Sequence, residues 1–89
     1  MIIKICGIKT IETLLFCEKK NVNFFGMIFY SKSPRNISID DAKKLQIYSK
    51  NLNINGVGVF VNFNIDNLKR YIDDLELKYI QLHGNEDGK

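Results

Sequence analysis

The sequence predicts an α/β fold in which four parallel strands alternate with three helices, and three features of its 89 residues predict it. Short apolar runs, rich in branched and aromatic side chains, begin near Ile2, Phe24, Val57 and Tyr79. Between them lie stretches whose apolar residues recur at helical spacing behind a capping residue. The connections are short, and strand, helix, strand units of that kind take right-handed crossovers that lay their strands parallel.

The first strand spans residues 2–7, Ile-Ile-Lys-Ile-Cys-Gly, where three branched apolar residues in six positions favour extended backbone. Gly7 followed by Thr10 reads as a tight turn feeding a helix start, which leaves Cys6 at the strand's carboxyl end. In parallel α/β folds that end is the functional rim. A thiol there is a candidate base or nucleophile; the competing reading is packing, because free cysteine is among the most buried residue types. Ile11, Leu14, Leu15 and Val22 mark the first helix, with Thr10 as its cap and Glu12 in the first turn, where the helix dipole favours an acid. Residues 23–30, Asn-Phe-Phe-Gly-Met-Ile-Phe-Tyr, form a strand apolar on both faces, and Gly26 within it lets another group approach the backbone closely.

Residues 31–36 form a polar, basic loop at the rim, since Pro34 cannot donate a backbone hydrogen bond and biases Ser33 away from helix. Ser38 with Asp41 three residues on has the form of a helix start, and Ala42, Leu45, Tyr48 and Leu52 form the apolar stripe of the second helix. Residues 56–61, Gly-Val-Gly-Val-Phe-Val, are the third strand. Asn64 caps the third helix, whose Ile65, Leu68, Tyr71, Ile72 and Leu75 share a face. Residues 79–83, Tyr-Ile-Gln-Leu-His, are the fourth strand; Gly84 begins the next turn, and a fourth helix is expected to start near Lys89.

Strand alternation then sorts side chains into two sets. Ile3, Ile5, Val57, Val59, Val61, Ile80 and Leu82 are expected to face the helices, with Lys4, Cys6, Phe60, Asn62, Gln81 and His83 on the opposite side. An open sheet covered by helices on both faces would not tolerate so many polar groups on one of them, whereas a barrel interior accepts them near its mouth.

Composition sets the remaining bounds. The chain is read as one domain, residues 1–89, with no second domain. Ordinary globular usage and the absence of any membrane-length apolar run lead to the expectation of a soluble protein with no membrane partner, and the start is not read as a signal peptide. Cys6 and Cys17 lack metal-ligand spacing and are read as reduced thiols of a cytoplasmic protein. The net charge of +3 is spread over lysines along the helices, which read as solvated faces rather than a stripe for nucleic acid. Zinc spacing, a Gly-rich phosphate loop, a Ser-His-Asp order and a nucleotide fingerprint are all missing from the sequence.

Cys6, Arg35, Asn62 and His83 gather at the rim, each at or just beyond the end of a different strand. Around them run Lys-Ile-Cys-Gly-Ile (4–8), Gly-Met-Ile-Phe-Tyr (26–30) leading into Ser-Pro-Arg-Asn-Ile-Ser (33–38), Val-Gly-Val-Phe-Val-Asn (57–62) and Ile-Gln-Leu-His-Gly (80–84). In that order and spacing they closely resemble phosphoribosylanthranilate isomerase. The resemblance implies the amino-terminal half of a TIM (β/α)8 barrel. The implied activity is an Amadori rearrangement of N-(5-phosphoribosyl)anthranilate to 1-(2-carboxyphenylamino)-1-deoxyribulose 5-phosphate in tryptophan biosynthesis, without metal or cofactor. It further implies that Cys6 is the general base, in surroundings that lower a thiol pKa, and that Arg35 pairs with the anthranilate carboxylate. His83, and more weakly Asn62, would line the substrate site.

The chain departs from the family in length, because a (β/α)8 barrel takes roughly 200 to 250 residues. The family's general acid, an aspartate on a later strand, and its phosphate-binding loops have no counterpart here; Glu86 and Asp87 are not assigned in their place. The expectation is an amino-terminal fragment, inactive alone, that is completed by a carboxyl-terminal half. The alternatives are a non-catalytic half-barrel that self-associates into a homo-oligomer and a flavodoxin-like binding module.

Overall fold

Helices begin where the sequence places their caps. Thr10 Oγ1 accepts from the Thr13 N–H at 3.2 Å, Ser38 Oγ from the Asp41 N–H at 3.1 Å, and Asn64 Oδ1 from the Asp66 and Asn67 N–H groups at 2.8 and 3.3 Å. Each satisfies donors that the first helical turn leaves without a partner. In the computed structural model, which describes residues 2–83, these caps open α1 (Ile11–Lys19), α2 (Ile39–Ser49) and α3 (Ile65–Leu75). The turn expected at Gly84, the helix expected near Lys89, and Glu86 and Asp87 lie outside the described residues.

The strands are β1 (Lys4–Cys6), β2 (Phe24–Phe29), β3 (Asn55–Val61) and β4 (Tyr79–His83). They form one sheet in the order β1-β2-β3-β4, every neighbouring pair parallel, with Cys6 level with Gly26, Gly26 with Val57, and Val57 with Tyr79. Four parallel strands and three helices in sequential order are the expected α/β architecture. β1 is shorter than the six residues expected, and Ile2, ahead of it, is 77% exposed.

The main core lies between the sheet and the helices. Phe25, Met27 and Phe29 point into it from β2, Leu14 and Cys17 from α1, Ala42 and Leu45 from α2, and Leu75 from the end of α3. The third buried position of α2 is Ser49 rather than Tyr48, which is half exposed. Ala42 and Ser49 are seven residues apart, close to two full turns, so Ser49 returns to the buried face and Tyr48 falls short of it.

β3 presents the opposite faces to those expected. Phe60 packs in the helix-side core, stacked on Phe29 at 4.9 Å and 17°, while Val57 and Val59 form a separate cluster with Ile28, Cys6, Phe24 and Tyr30 on the other side of the sheet. The glycines are the physical reason. A Cβ on Gly58 would come within 2.6 Å of the Phe60 ring and 2.7 Å of Leu77 Cδ1, and one on Gly56 would run into Gln46 and within 2.9 Å of Phe25 Cζ. The bare side of β3 is where the helix layer closes in, so the valines are left for the concave side.

That side is strongly curved. Lys4 lies two residues before Cys6 and Gln81 two after Tyr79, so a flat sheet would separate them by three strand spacings and four residues, roughly 19 Å. Lys4 Nζ nonetheless donates to Gln81 Oε1. Phe24 and Tyr79, on strands with β3 between them, meet edge to face at 5.1 Å. The four strands are bent as in part of a barrel wall. No helix among the described residues is long and apolar enough to cross a membrane.

Candidate active site

Cys6 ends β1 where the chain turns sharply. Gly7 takes φ +86°, a left-handed conformation that glycine adopts without a Cβ penalty, and the N–H groups of Gly7 and Ile8 both donate to the Gly26 carbonyl, at 2.9 and 3.1 Å. This double bond pins the turn to β2. The thiol, half buried, lies over Gly26, where a Cβ would come within 2.8 Å of Sγ and 3.1 Å of Cys6 Cα. The close approach that a glycine in this strand foretells is therefore made by the thiol.

Arg35 reaches the turn after Cys6 from the β2–α2 loop. The loop is built from local hydrogen bonds: Ser33 N–H to the Tyr30 carbonyl at 2.9 Å, Arg35 N–H to Ser33 Oγ at 3.1 Å, and Asn36 N–H to the Ser33 carbonyl at 3.1 Å. Asn36 Oδ1 accepts from Tyr30 N–H at 2.8 Å, and Ile37 N–H returns to the Ile28 carbonyl at 3.0 Å, so the loop is folded back on the end of β2. It carries the Arg35 side chain across Gly7, where a Cβ would meet Arg35 Cδ at 2.5 Å and Nη1 at 3.1 Å. The glycine after Cys6 thus serves twice, for its φ and for the guanidinium lying on it.

His83 ends β4 on the concave side, since it is level with Val61 and alternates with Leu82. Its Nε2 is 2.8 Å from Gln81 Nε2, and Gln81 Oε1 accepts from Lys4 Nζ, which links both edges of the sheet across the concave face. Asn62 stands apart from this group. It leaves the strand with φ +53°, is exposed, and is tied to β4 by its N–H, which donates to the His83 carbonyl at 2.9 Å. It lines an open cleft of about 770 Å³ between the β2–α2 and β3–α3 connections, with Tyr30, Asn36, Asn64 and Tyr71. Cys6, Arg35 and His83 do not line that cleft.

The structure therefore places the Arg35 side chain over Gly7, the residue after Cys6, and sets His83 on the same concave side as Cys6. Lys4 and Gln81 complete that face; sequence reasoning placed them there without assigning them to the site. Their signal was a cation and an amide at concave positions of strands whose neighbouring positions are apolar. A thiol at a strand end can take a proton from a ligand that a guanidinium on the adjoining turn holds by an acidic group. Among the described residues, no group of three or more His, Cys, Asp or Glu could hold a metal ion.

The family model described as N-(5'phosphoribosyl)anthranilate (PRA) isomerase matches residues 3–89. The chain is 41% identical over 87 residues to the N-(5'-phosphoribosyl)anthranilate isomerase of Aquifex aeolicus, covering 96% of this chain and 41% of that protein. It is 39% identical over 84 residues to the same enzyme of Geotalea uraniireducens, covering 94% and 41%. Among solved structures, the phosphoribosyl anthranilate isomerase of Thermotoga maritima superposes with a TM-score of 0.87 at 35% identity, over 96% of this chain and 42% of that one. A phosphoribosyl anthranilate isomerase in complex with reduced 1-(o-carboxyphenylamino)-1-deoxyribulose 5-phosphate gives the same TM-score and identity, over 96% and 44%. The chain spans about two fifths of the length of the relatives it matches.

Proposed function

Since the chain belongs to the N-(5'-phosphoribosyl)anthranilate isomerase family, we propose that it forms the base-bearing part of an enzyme that converts N-(5-phosphoribosyl)anthranilate to 1-(2-carboxyphenylamino)-1-deoxyribulose 5-phosphate in tryptophan biosynthesis. The observation that carries this reading is the Cys6 thiol at the end of β1 with Arg35 folded across the adjoining Gly7. In the rearrangement an acid protonates the ring oxygen and opens the sugar. Opening leaves a C1 iminium; Cys6 then removes the proton from C2, and the freed electron pair forms the C1=C2 bond of an enolamine as the iminium nitrogen is neutralised. A proton added at C1 and the loss of the C2 hydroxyl proton complete the ketone at C2. Arg35 holds the anthranilate carboxylate by its planar fork, which fixes the reacting carbon relative to the sulfur. His83 lines the substrate site, whereas Asn62 lies on the separate cleft between the β2–α2 and β3–α3 connections. The free thiols of Cys6 and Cys17 suit a cytoplasmic enzyme.

Residues 2–83 hold no counterpart of the family's later aspartate or its phosphate-binding loops, so in this proposal the remaining strands supply both. A carboxyl-terminal half is thus the partner the reaction needs. A second reading, a non-catalytic half-barrel that self-associates, is favoured by the two edges of the sheet, β1 and β4, which have no strand beyond them among the described residues.

The test uses an enzyme in which these four strands are completed by the rest of the barrel. Cys6→Ser lowers kcat by roughly 10² to 10⁴, the span of general acid–base catalysis, and leaves the affinity for a reduced product analogue within about twofold. Arg35→Met weakens carboxylate-bearing ligands about ten- to a hundredfold more than the same ligands without the carboxylate. Near-normal turnover of Cys6→Ser returns the thiol to packing, and equal weakening of both ligand sets reduces Arg35 to a support for its loop.

A further inference from the structure

Lys4, Gln81 and His83 form a hydrogen-bonded chain across the concave face in which only one arrangement of hydrogens is consistent. The Lys4 ammonium can only donate, so the Gln81 side chain must turn its oxygen to Lys4 Nζ. That turns the amide nitrogen to His83 Nε2, 2.8 Å away. Both hydrogens on that nitrogen are donors, so His83 Nε2 must accept. A neutral imidazole that accepts at one nitrogen carries its hydrogen on the other.

We infer that Gln81 is a positioning residue that, with its amide orientation set by Lys4, holds His83 as the Nδ1–H tautomer. The arrangement is unusual in what it combines. The amide is anchored from the opposite edge of the sheet, so the tautomer of a residue on β4 is fixed by a side chain on β1 and depends on the curvature that lets the two meet. For ligand binding, Nε2 is already committed, and Nδ1–H, which has no partner among the described residues, remains as a donor. His83 then recognises an oxygen acceptor, a carboxylate, hydroxyl or carbonyl oxygen, and does not offer a lone pair to a ligand hydrogen. This last step rests on the proposed role of His83 in the substrate site; the tautomer does not.

His83 is the sole histidine of the 89 residues, so its ring nitrogens are assigned without ambiguity. Nitrogen-15 NMR of the uniformly labelled chain, at a pH where the imidazole is neutral, distinguishes the protonated ring nitrogen from the bare one by their widely separated shifts. The wild type is expected to show mostly Nδ1–H. Gln81→Leu removes the donor, and Lys4→Met frees the amide to rotate; both shift the population towards Nε2–H. Gln81→Glu replaces the donor by an acceptor and is expected to move the hydrogen to Nε2. The backbone amide spectrum of each variant shows whether the fold is kept, and Lys4→Met, a change of similar shape, tests the chain if a Gln81 variant fails to fold. A wild type that is mostly Nε2–H overturns the inference, as does a tautomer that Lys4→Met and the folded Gln81 variants leave unmoved. Adding the reduced product analogue to the barrel-completed enzyme separates the two claims. An Nδ1–H tautomer whose shifts the analogue does not perturb keeps the positioning role of Gln81 and removes His83 from the substrate site.

Discussion

Two thiols show what position does to one chemical group. Cys17 is 2% exposed between α1 and the sheet, and burial pushes its thiol above the ordinary range, because an anion there would lose its water. Cys6, half buried, opens onto the concave face. Alkylation of the native chain at pH 8, read by peptide mass, should therefore modify Cys6 well before Cys17, and Cys17 only as fast as the chain unfolds; equal rates would contradict the packing described. The sign of the pH effect follows from the raised value. The folded state holds the Cys17 proton more tightly than the unfolded state, so this contribution is complete below the ordinary thiol pKa of about 8.5 and is lost as pH rises through the raised one. Between pH 8 and 10 the denaturation midpoint of Cys17→Ala should fall less than that of the wild type. Sequence alone left Cys6 between packing and chemistry, since both roles use a thiol at a strand end. The proposed chemical role rests on Arg35 lying on Gly7, and that juxtaposition depends on the path of a loop 28 residues further along the chain.

Elements were legible wherever a local rule decides them. Thr10, Ser38 and Asn64 cap the helices because their side chains satisfy donors within three residues, an interaction contained in the sequence itself. The facing of β3 was not legible, because valines alternating with glycines suit either side of a sheet until it is known which side has no room for a Cβ. Gly58 answers that question. The Phe60 ring and Leu77 occupy the place where its Cβ would stand, and Phe60 is itself held by Phe29, Phe63 and Tyr71 with ring centroids 4.9 to 6.1 Å away. An aromatic ring locked on several sides cannot yield like the end of a flexible chain. Gly58→Ala should cost about 1 to 3 kcal/mol, the range for overpacking a core, measured as a fall in the denaturant midpoint at unchanged slope. A neutral substitution would mean that Phe60 is free to move and that β3 is not held by its bare face.

The whole molecule is a curved sheet with helices on its convex side and nothing among the described residues on its concave side. Its two boundary strands, β1 and β4, each present backbone donors and acceptors that no further strand among the described residues takes up, and such edges are templates for pairing. Apolar side chains beside both edges are uncovered: Ile5 is 40% exposed on β1, and Leu82 is 59% exposed on β4, next to Ile65 at 66%. In a parallel sheet of this order, β4 of one copy can take β1 of a second, and β4 of the second can take β1 of the first. Two copies related by a two-fold axis then contribute four strands each to a closed ring of eight, the strand number of a complete (β/α)8 barrel, with no edge left over. The 89-residue polypeptide by itself should therefore sediment as a dimer or larger assembly. It should also be inactive, because pairing two copies doubles Cys6 and Arg35 without adding the family's aspartate or its phosphate loops. Sedimentation velocity across a hundredfold range of concentration tests the first part, and the fluorescence of the anthranilate group during incubation with substrate tests the second. A compact monomer at all concentrations would show that the edges are protected by other means, and turnover by the purified polypeptide would show that the acid and the phosphate clamp can be drawn from these residues.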